Sequence, residues 1–305
     1  MQSQAKLIEW HCGIGGVSAA VSGRFQTLAA IDIKREAIEI YSTNFHGYQT
    51  VIKNIDTISD HLVKSWGNAD LWWMSPPCQP HTVLGRKRDV ADNRSASFLR
   101  MLQLLEKFRP PCIAMENVPG FGQSQSRQLL IQTLEKAGYS FIEETICPTS
   151  WGWPNRRNRY YLAACRDQLT PLREPDLSLQ SKCNLVDVID PLADRSQELY
   201  VNQEFLDRYK DAVHLADRDH SAEITNCFTS AYGRSPTRCG SYLIVPNDDC
   251  KAVRRFSPRE VLSLLDFPQE YSLPADFPPS KLWPMVGNSL ALGATRRVLS
   301  RLPVW

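Results

Sequence analysis

The sequence lacks the patterns that identify several common classes of protein. Of the nine cysteines, none forms a C-x-x-C pair, and the six histidines show no H-E-x-x-H spacing. A disulfide framework, a zinc ribbon and a catalytic zinc site are therefore not indicated. We expect most cysteines to be reduced and no metal to be bound.

Long apolar runs and a strong net charge are also missing. No stretch approaches the ~20 apolar residues that span a bilayer, and the opening MQSQAKLIEW lacks the apolar core of a signal peptide. We therefore expect no membrane contact and a cytoplasmic protein, also nuclear if the source is eukaryotic. The 35 Lys and Arg against 33 Asp and Glu leave a formal charge of +2, so binding to nucleic acid would depend on local clusters.

Short apolar runs alternate with amphipathic stretches in the first half of the chain, which is typical of a parallel sheet covered by helices. Strands are indicated at KLIEW, LAAIDI, DLWWMS and PCIAMENV, and helices at REAIEIYSTNF and SFLRMLQLLEKF. An antiparallel edge pair is indicated at YSFIEETIC and YYLAAC. We therefore predict an α/β fold with a doubly wound sheet.

The regular rhythm stops after about Cys165, where prolines and polar residues interrupt any period. It returns at SPREVLSLLDF, in which Ser257 begins a capping box, and a last helix is indicated at SLALGATRRVLSRL. We therefore predict one domain formed by residues 1–172 and 254–305, and a smaller domain formed by 173–253.

A glycine-rich turn follows the first strand. LIEWHCGIGGVSAAV places Gly13, Gly15 and a third glycine before a helix, where small residues let a cofactor approach backbone N–H groups. Asp32 ends the second apolar run, where a carboxylate can hold the ribose of an adenosine, and Ile33 could cover one adenine face. The turn could equally be a tight turn without a ligand. A nicotinamide fingerprint is weakened because Ser18 stands where its third glycine belongs.

Three strand ends carry groups suited to catalysis. In WWMSPPCQPH, two prolines hold Cys78 at the carboxyl edge of the sheet, where open α/β folds bind ligands. In CIAMENVPGF, a strand delivers Glu116, and a carboxyl whose pKa is raised by burial can protonate a ring nitrogen of a heteroaromatic substrate. In NRRNRYYL, Arg157 and Arg159 are spaced to point to one side of a strand, where they could hold a carbonyl oxygen or a phosphate.

The ordered motifs resemble those of the cytosine-5 methyltransferases that use S-adenosylmethionine: LIEWHCGIGG, AIDI, PPCQP, ENVPGF, RNR, RRFSPREVLSLLDFP and VGNSL. The resemblance implies a Rossmann-like methyltransferase sheet with a smaller target-recognition domain. It implies that Cys78 adds to carbon 6 of cytosine, that Glu116 is the acid at the N3 edge, and that carbon 5 is then methylated. Arg157 and Arg159 would support the substrate, and Asn117 would brace the site.

Ligand-binding residues follow from the same motifs and from three basic segments. The resemblance implies that S-adenosylmethionine binds and leaves as S-adenosylhomocysteine. It places the following residues around this cofactor: His11, Gly13, Ile14, Gly15, Asp32, Ile33, Asn54, Ile55, Pro77, Asn288 and Ser289. Substrate contacts are predicted at Gln79, Arg86, Lys87, Arg88, Cys227, Phe228, Thr229, Tyr232 and Arg234. Arg238, Arg254 and Arg255 could add phosphate contacts, and Tyr232 could either stack on a base or lie in the core.

The stretch NCFTSAYGRSPTRCGSYL is similar to a Cys-Phe-Thr signature of one branch, the tRNA aspartic acid methyltransferases. This implies methylation of an anticodon-loop cytosine of aspartate tRNA, by a protein that we expect to be a monomer. Extruding such a base costs less than flipping one from a duplex. The chain departs from the branch at His81, where phenylalanine is usual, and in WHCGIGG, where an aromatic and a small residue are usual.

Three other functions are open. A DNA cytosine-5 methyltransferase shares the chemistry and would prefer a short duplex sequence to folded tRNA. An RNA chaperone or scaffold that binds the cofactor is disfavoured because Cys78, Glu116 and Arg159 are all present. A nicotinamide dehydrogenase would be excluded by cofactor titration.

Overall fold

The computed structural model describes residues 4–77, 96–166, 173–179, 181–220, 222–246 and 251–305. The chain divides into two compact units. The first comprises Met1–Ile146, Asn158–Leu179 and Ala294–Trp305, and the second comprises Cys147–Arg157 and Gln180–Gly293. Residues 254–293 thus lie in the second unit, whereas the sequence groups them with the cofactor domain. That functional division stays a prediction.

A seven-stranded sheet forms the centre of the first unit, in the order β3-β2-β1-β4-β5-β7-β6. β7 runs antiparallel to both of its neighbours, and the other pairs are parallel. The predicted α/β sheet and its antiparallel edge pair are therefore confirmed. The strands are β1 (Ala5–Trp10), β2 (Phe25–Asp32), β3 (Thr50–Ile52), β4 (Leu71–Met74), β5 (Cys112–Asn117), β6 (Ser140–Ile146) and β7 (Arg159–Cys165).

Helices connect these strands and cover the sheet with their apolar faces. In α4, Phe98, Met101 and Leu105 recur at helical spacing and lie in a large hydrophobic core beside the sheet. Trp10 of β1 packs against Trp72 in the same core, with ring centroids 5.1 Å apart. The helices of this part of the chain are α1 (Gly16–Val21), α2 (Arg35–Asn44), α3 (Asp60–Ser65), α4 (Ala96–Phe108) and α5 (Gln125–Lys136).

The strand order reverses direction between β1 and β4, which are adjacent and parallel with Trp10 opposite Met74. On the far side of β4, Met74 is opposite Met115 of β5. The carboxyl ends of β1, β4 and β5 therefore lie at one edge of the sheet, and such a reversal point is where open α/β sheets bind ligands. The glycine turn, Pro77 and Glu116 all follow or end these three strands.

The second unit contains a three-stranded sheet in the order β10-β9-β8. The capping box of α8 is confirmed: Ser257 Oγ accepts from the backbone N–H of Glu260 at 3.1 Å, and Glu260 accepts from that of Ser257 at 2.7 Å. The elements are α6 (Leu185–Val188), α7 (Gln203–Tyr209), β8 (His214–Asp217), β9 (Ser241–Pro246), β10 (Lys251–Arg255), α8 (Pro258–Leu264) and α9 (Pro279–Gly287). The final helix, α10 (Leu292–Leu299), starts in this unit and continues into the first.

Within the ranges described above, no helix is both long and apolar enough to cross a membrane. Over the same ranges, no group of three or more His, Cys, Asp or Glu side chains could hold a metal ion. The seven cysteines placed there, from Cys12 to Cys239, all carry free thiols.

Candidate active site and cofactor site

The glycine turn is held against the end of β2 by Asp32. The backbone N–H of Gly13 donates to Asp32 Oδ2 at 2.9 Å, and that of Lys34 donates to Oδ1 at 2.9 Å. Gly13 has a φ of 54°, and a Cβ added to it would meet no atom within 4 Å. The turn therefore leaves open space beside a fixed carboxylate, as a nucleoside-binding site requires.

At Gly15, close packing of side chains, rather than open space for a ligand, favours glycine. Its φ is 89°, and an added Cβ would lie 2.9 Å from Tyr41 Cδ2 and closer still to the ring of Phe45. Both the backbone conformation and the crowded side favour glycine here. The two glycines of one motif thus have different physical roles.

His11 occupies the first position after β1 with a φ of 57°, in the left-handed region that non-glycine residues rarely adopt. Both ring nitrogens are buried and have no hydrogen-bond partner among the residues that the structure describes. Burial lowers the pKa of His11 to about 3, because the charged imidazolium would lose its hydration. The ring is therefore neutral at neutral pH.

The other predicted cofactor residues differ in exposure. Ile33 is 61% exposed, which leaves its apolar surface available to a ligand. Ile14 and Ile55 are each 2% exposed. Their side chains therefore lie in the core, which leaves their backbone groups for a cofactor, and their place in the cofactor site stays a prediction. The exposed members are Asn54, Pro77 and Asn288, whereas Ser289 is buried.

Replacing Asp32 by asparagine is expected to weaken binding of S-adenosylhomocysteine by about 10- to 100-fold, since hydrogen bonds to a charged group contribute about 1.5–3 kcal/mol. Isothermal titration calorimetry measures the affinity, with Asp276→Asn as the control at an exposed aspartate. Unchanged affinity of Asp32→Asn would remove Asp32 from the cofactor site.

A buried carboxyl group that the sequence analysis missed lies below the turn. Glu9 is 0% exposed, and its Oε1 accepts hydrogen bonds from Ser18 and, at 3.3 Å, from Tyr41. Glu9 Oε2 is buried, and no described residue forms a hydrogen bond with it. Burial raises the pKa of Glu9 from 4.5 to about 7, against the opposing effect of these hydrogen bonds. An acidic residue within the apolar run KLIEW was the available signal.

This pKa predicts a pH-dependent stability. Between pH 4.5 and about 7 the native state holds a proton on Glu9 that the unfolded chain releases, so the free energy of unfolding falls as pH rises through this window. Glu9→Gln should remove about 2 kcal/mol of that fall between about pH 5 and about pH 8, since one pKa unit corresponds to about 1.4 kcal/mol. Urea denaturation at both pH values tests this, with Glu39→Gln as the exposed control. An identical fall in wild type and Glu9→Gln would contradict it.

The predicted acid lies at the carboxyl end of β5. Glu116 is 9% exposed, and its Oε1 lies 3.1 Å from Nε of Arg159, the first residue of β7. Arg159 also donates from Nη1 to the carbonyl of Asn158 at 2.7 Å. The next residue, Asn117, donates to the carbonyl of Pro76 at 3.2 Å and accepts from the N–H of Val118. The Pro-Pro segment after β4 and the acid-bearing end of β5 are thereby joined.

Arg157 has a different environment. It precedes β7, so the strand alternation behind the prediction of a shared side does not extend to Arg157, and that prediction is not tested. Arg157 is 2% exposed, and its guanidinium donates to the carbonyls of Phe228, Gly287 and Ser289. Its role in supporting the substrate stays a prediction.

Several side chains expected on the substrate are in the core of the second unit. Phe228 and Tyr232 are each 1% exposed and pack edge to face with centroids 4.8 Å apart. The Tyr232 hydroxyl donates to the carbonyl of Ser241 at 2.7 Å and accepts from the N–H of Phe256. Neither ring can stack on a base in this position. The core alternative for Tyr232 is the one observed.

The predicted phosphate contact of Arg254 is also wrong, because this residue is 0% exposed and contacts Glu260 and Asp194 rather than solvent. It therefore cannot contact phosphate. Among the other predicted substrate residues of this unit, three are half-buried, namely Cys227, Thr229 and Arg255. Two are exposed, namely Arg234 and Arg238.

The segment that follows β4 and Pro77 lies outside the residues that the structure describes. It contains the predicted nucleophile, Cys78, and His81, which follows PPCQP where the branch usually has phenylalanine. It also contains four predicted substrate contacts: Gln79, Arg86, Lys87 and Arg88.

The reversal point of the sheet, the glycine turn with Asp32, and an acid paired with an arginine define a cofactor-binding α/β enzyme. The model of the C-5 cytosine-specific DNA methylase family matches residues 5–303, and the chain belongs to this family.

Comparison with individual proteins supports the same family. The chain is 30% identical to a tRNA (cytosine(38)-C(5))-methyltransferase of Spodoptera frugiperda, over 97% of this chain and 98% of that protein. It is 28% identical to a DNA (cytosine-5)-methyltransferase of Dictyostelium discoideum, over 98% and 94%. The crystal structure of a Spodoptera frugiperda DNMT2 mutant matches with a TM-score of 0.84 and 28% identity, over 97% of this chain and 98% of the other.

Proposed function

We propose that this enzyme transfers a methyl group from S-adenosylmethionine to carbon 5 of a cytosine in the anticodon loop of tRNA, with aspartate tRNA as the favoured substrate. The observation that carries the proposal is Glu116, held at the carboxyl end of β5 by Arg159 within a C-5 cytosine methylase chain. The tRNA assignment is supported by full-length relatives that are named as tRNA methyltransferases.

The residues of the first unit fit the cofactor. Asp32 offers a carboxylate to ribose hydroxyls, Ile33 offers an exposed apolar surface to the adenine, and the open space at Gly13 admits the ligand to the turn. S-adenosylmethionine would supply an electrophilic methyl group. The buried nitrogens of His11, which have no partner within the described part of the chain, offer further hydrogen-bonding groups beside the turn.

The protein side chains would make the cytosine ring nucleophilic. The Cys78 thiolate would add to carbon 6, and the resulting negative charge would be accommodated by a proton held between Glu116 and N3 of the base. Arg159 would keep the carboxylate in the orientation that this proton transfer needs. Carbon 5 would then accept the methyl group, and transfer of the carbon 5 proton to a base would allow the Cys78 thiolate to leave by elimination.

The alternative substrate is DNA, and it is supported by the name of the Dictyostelium discoideum relative. An unpaired loop base favours tRNA, since extruding it avoids the cost of breaking a base pair. We further propose that the enzyme acts as a monomer in the cytoplasm.

Transfer of labelled methyl from S-adenosylmethionine to purified tRNA and, separately, to duplex DNA tests the proposal. We expect label in tRNA with the wild type and none with Cys78→Ala, which should still bind S-adenosylhomocysteine because the thiol is assigned to the base rather than to the cofactor. Label in DNA alone would establish the alternative. Label in neither substrate would reject both.

A further inference from the structure

Two segments of the second unit that are assigned to different ligands meet through their backbones. The recognition segment (residues 227–230) contains the Cys-Phe-Thr signature, and the cofactor segment (residues 287–289) contains Asn288 and Ser289. A Cβ added to Gly287 would lie 2.5 Å from the carbonyl carbon of Thr229 and closer still to its oxygen, and 3.0 Å from the N–H nitrogen of Ser230. Only glycine permits this contact without a shift of one segment.

One buried side chain binds both segments. Arg157 Nη1 donates to the carbonyl of Phe228 at 2.9 Å and to that of Gly287 at 3.3 Å. Its Nη2 donates to the carbonyl of Gly287 at 3.2 Å and to that of Ser289. The thiol of Cys227 lies 3.6 Å from Nη1. Since the guanidinium is planar and rigid, its donors fix the relative positions of these carbonyls.

We propose that Arg157 is a positioning residue that couples the binding of RNA at the recognition segment to the binding of cofactor at the cofactor segment. This inference rests on the proposed function, because it takes the two segments to contact RNA and S-adenosylmethionine. With both backbones held by one guanidinium and touching at Gly287, a ligand that displaces one segment also displaces the other. Coupling of this kind is reciprocal, so each ligand raises the affinity for the other by the same factor.

Wild-type protein tests the first half of the inference. The affinity for S-adenosylhomocysteine is measured by calorimetry alone and with a saturating transcript of aspartate tRNA. We expect the RNA to raise this affinity by about 5-fold or more, the lower end of the range for coupled sites. RNA binding without any change in cofactor affinity would overturn the inference and leave the proposed function intact. Failure of the RNA to bind at all would reject both.

Two substitutions test whether Arg157 and Gly287 carry the coupling. Arg157→Lys keeps the charge but replaces the guanidinium fork by one ammonium group, which cannot span the same carbonyls. Gly287→Ala keeps the arginine but forces the backbones apart. Both should bring the coupling factor toward one, while Arg156→Lys, the same change at the exposed neighbouring residue, should keep the wild-type factor.

Melting temperatures measured for each variant separate loss of coupling from loss of folding. If Arg157→Lys fails to fold, Gly287→Ala still decides the outcome, because it leaves the guanidinium in place. A folded Arg157→Lys or Gly287→Ala protein that retains the wild-type coupling factor would contradict the inference.

Discussion

Glu116→Gln is expected to lower kcat by about 10²- to 10⁴-fold, the usual contribution of a general acid or base. Glutamine preserves the size of the side chain and one hydrogen-bond acceptor for Arg159, but it cannot hold or release the proton at N3 of the base. The carboxylate lies 3.1 Å from Arg159 Nε and at the end of β5, so the substitution should leave the sheet intact. Single-turnover methyl transfer measures the rate.

The affinity for S-adenosylhomocysteine should be unchanged in Glu116→Gln, because the cofactor is assigned to the glycine turn and Asp32. Glu106→Gln, at a 43% exposed carboxylate on α4, is the matched control and should have wild-type kcat. A Glu116→Gln rate close to that of the wild type would show that the acid acts elsewhere.

Arg254→Met is expected to lower the free energy of unfolding by about 3–5 kcal/mol, because removing one partner of a buried ion pair leaves an uncompensated charge. Arg254 Nη2 lies 2.7 Å from Glu260 Oε1, and both side chains are 0% exposed. The Arg254 Nε also lies 2.7 Å from Asp194 Oδ1. Methionine nearly preserves the volume of the aliphatic stem but leaves the Glu260 carboxylate without its cation.

Urea denaturation followed by tryptophan fluorescence measures this loss. Arg195→Met, at an exposed arginine of the same unit, should change the free energy of unfolding little. An equally small change in the free energy of unfolding for both substitutions would show that the ion pairs of Arg254 with Glu260 and Asp194 contribute little to stability. Strong destabilisation by Arg254→Met alone would show that this basic residue stabilises the fold instead of contacting phosphate.

The main elements of the first unit were predictable because they depend on local patterns. Apolar runs bounded by turn residues located β1, β2, β4 and β5, and helical spacing located α2 and α4. β3 was not predicted, since three residues carry too short a pattern. The capping box at Ser257 and Glu260 was predictable for the same local reason: its partners are three residues apart.

The cofactor and acid positions were partly predictable. Asp32 and Glu116 are each the last or nearly the last residue of a predicted strand, and parallel strands place those ends at one edge of the sheet. Glu9 was missed, since an acid in an apolar run can be either an edge residue or a buried, protonated group. Its 0% exposure is a property of the packed layers.

The sequence by itself determined the order of strands and helices and the groups carried at the strand ends, because hydrophobic period, turn chemistry and capping act between near neighbours. It indicated the family through the resemblance of its ordered motifs. Only the tertiary structure decided the roles of the arginines. Arg157 binds the carbonyl of Gly287, 130 residues away, Arg159 pairs with Glu116, and Arg254 is buried against Asp194. Identical side chains acquire these different roles because burial and partners depend on contacts between distant parts of the chain, which local spacing does not encode.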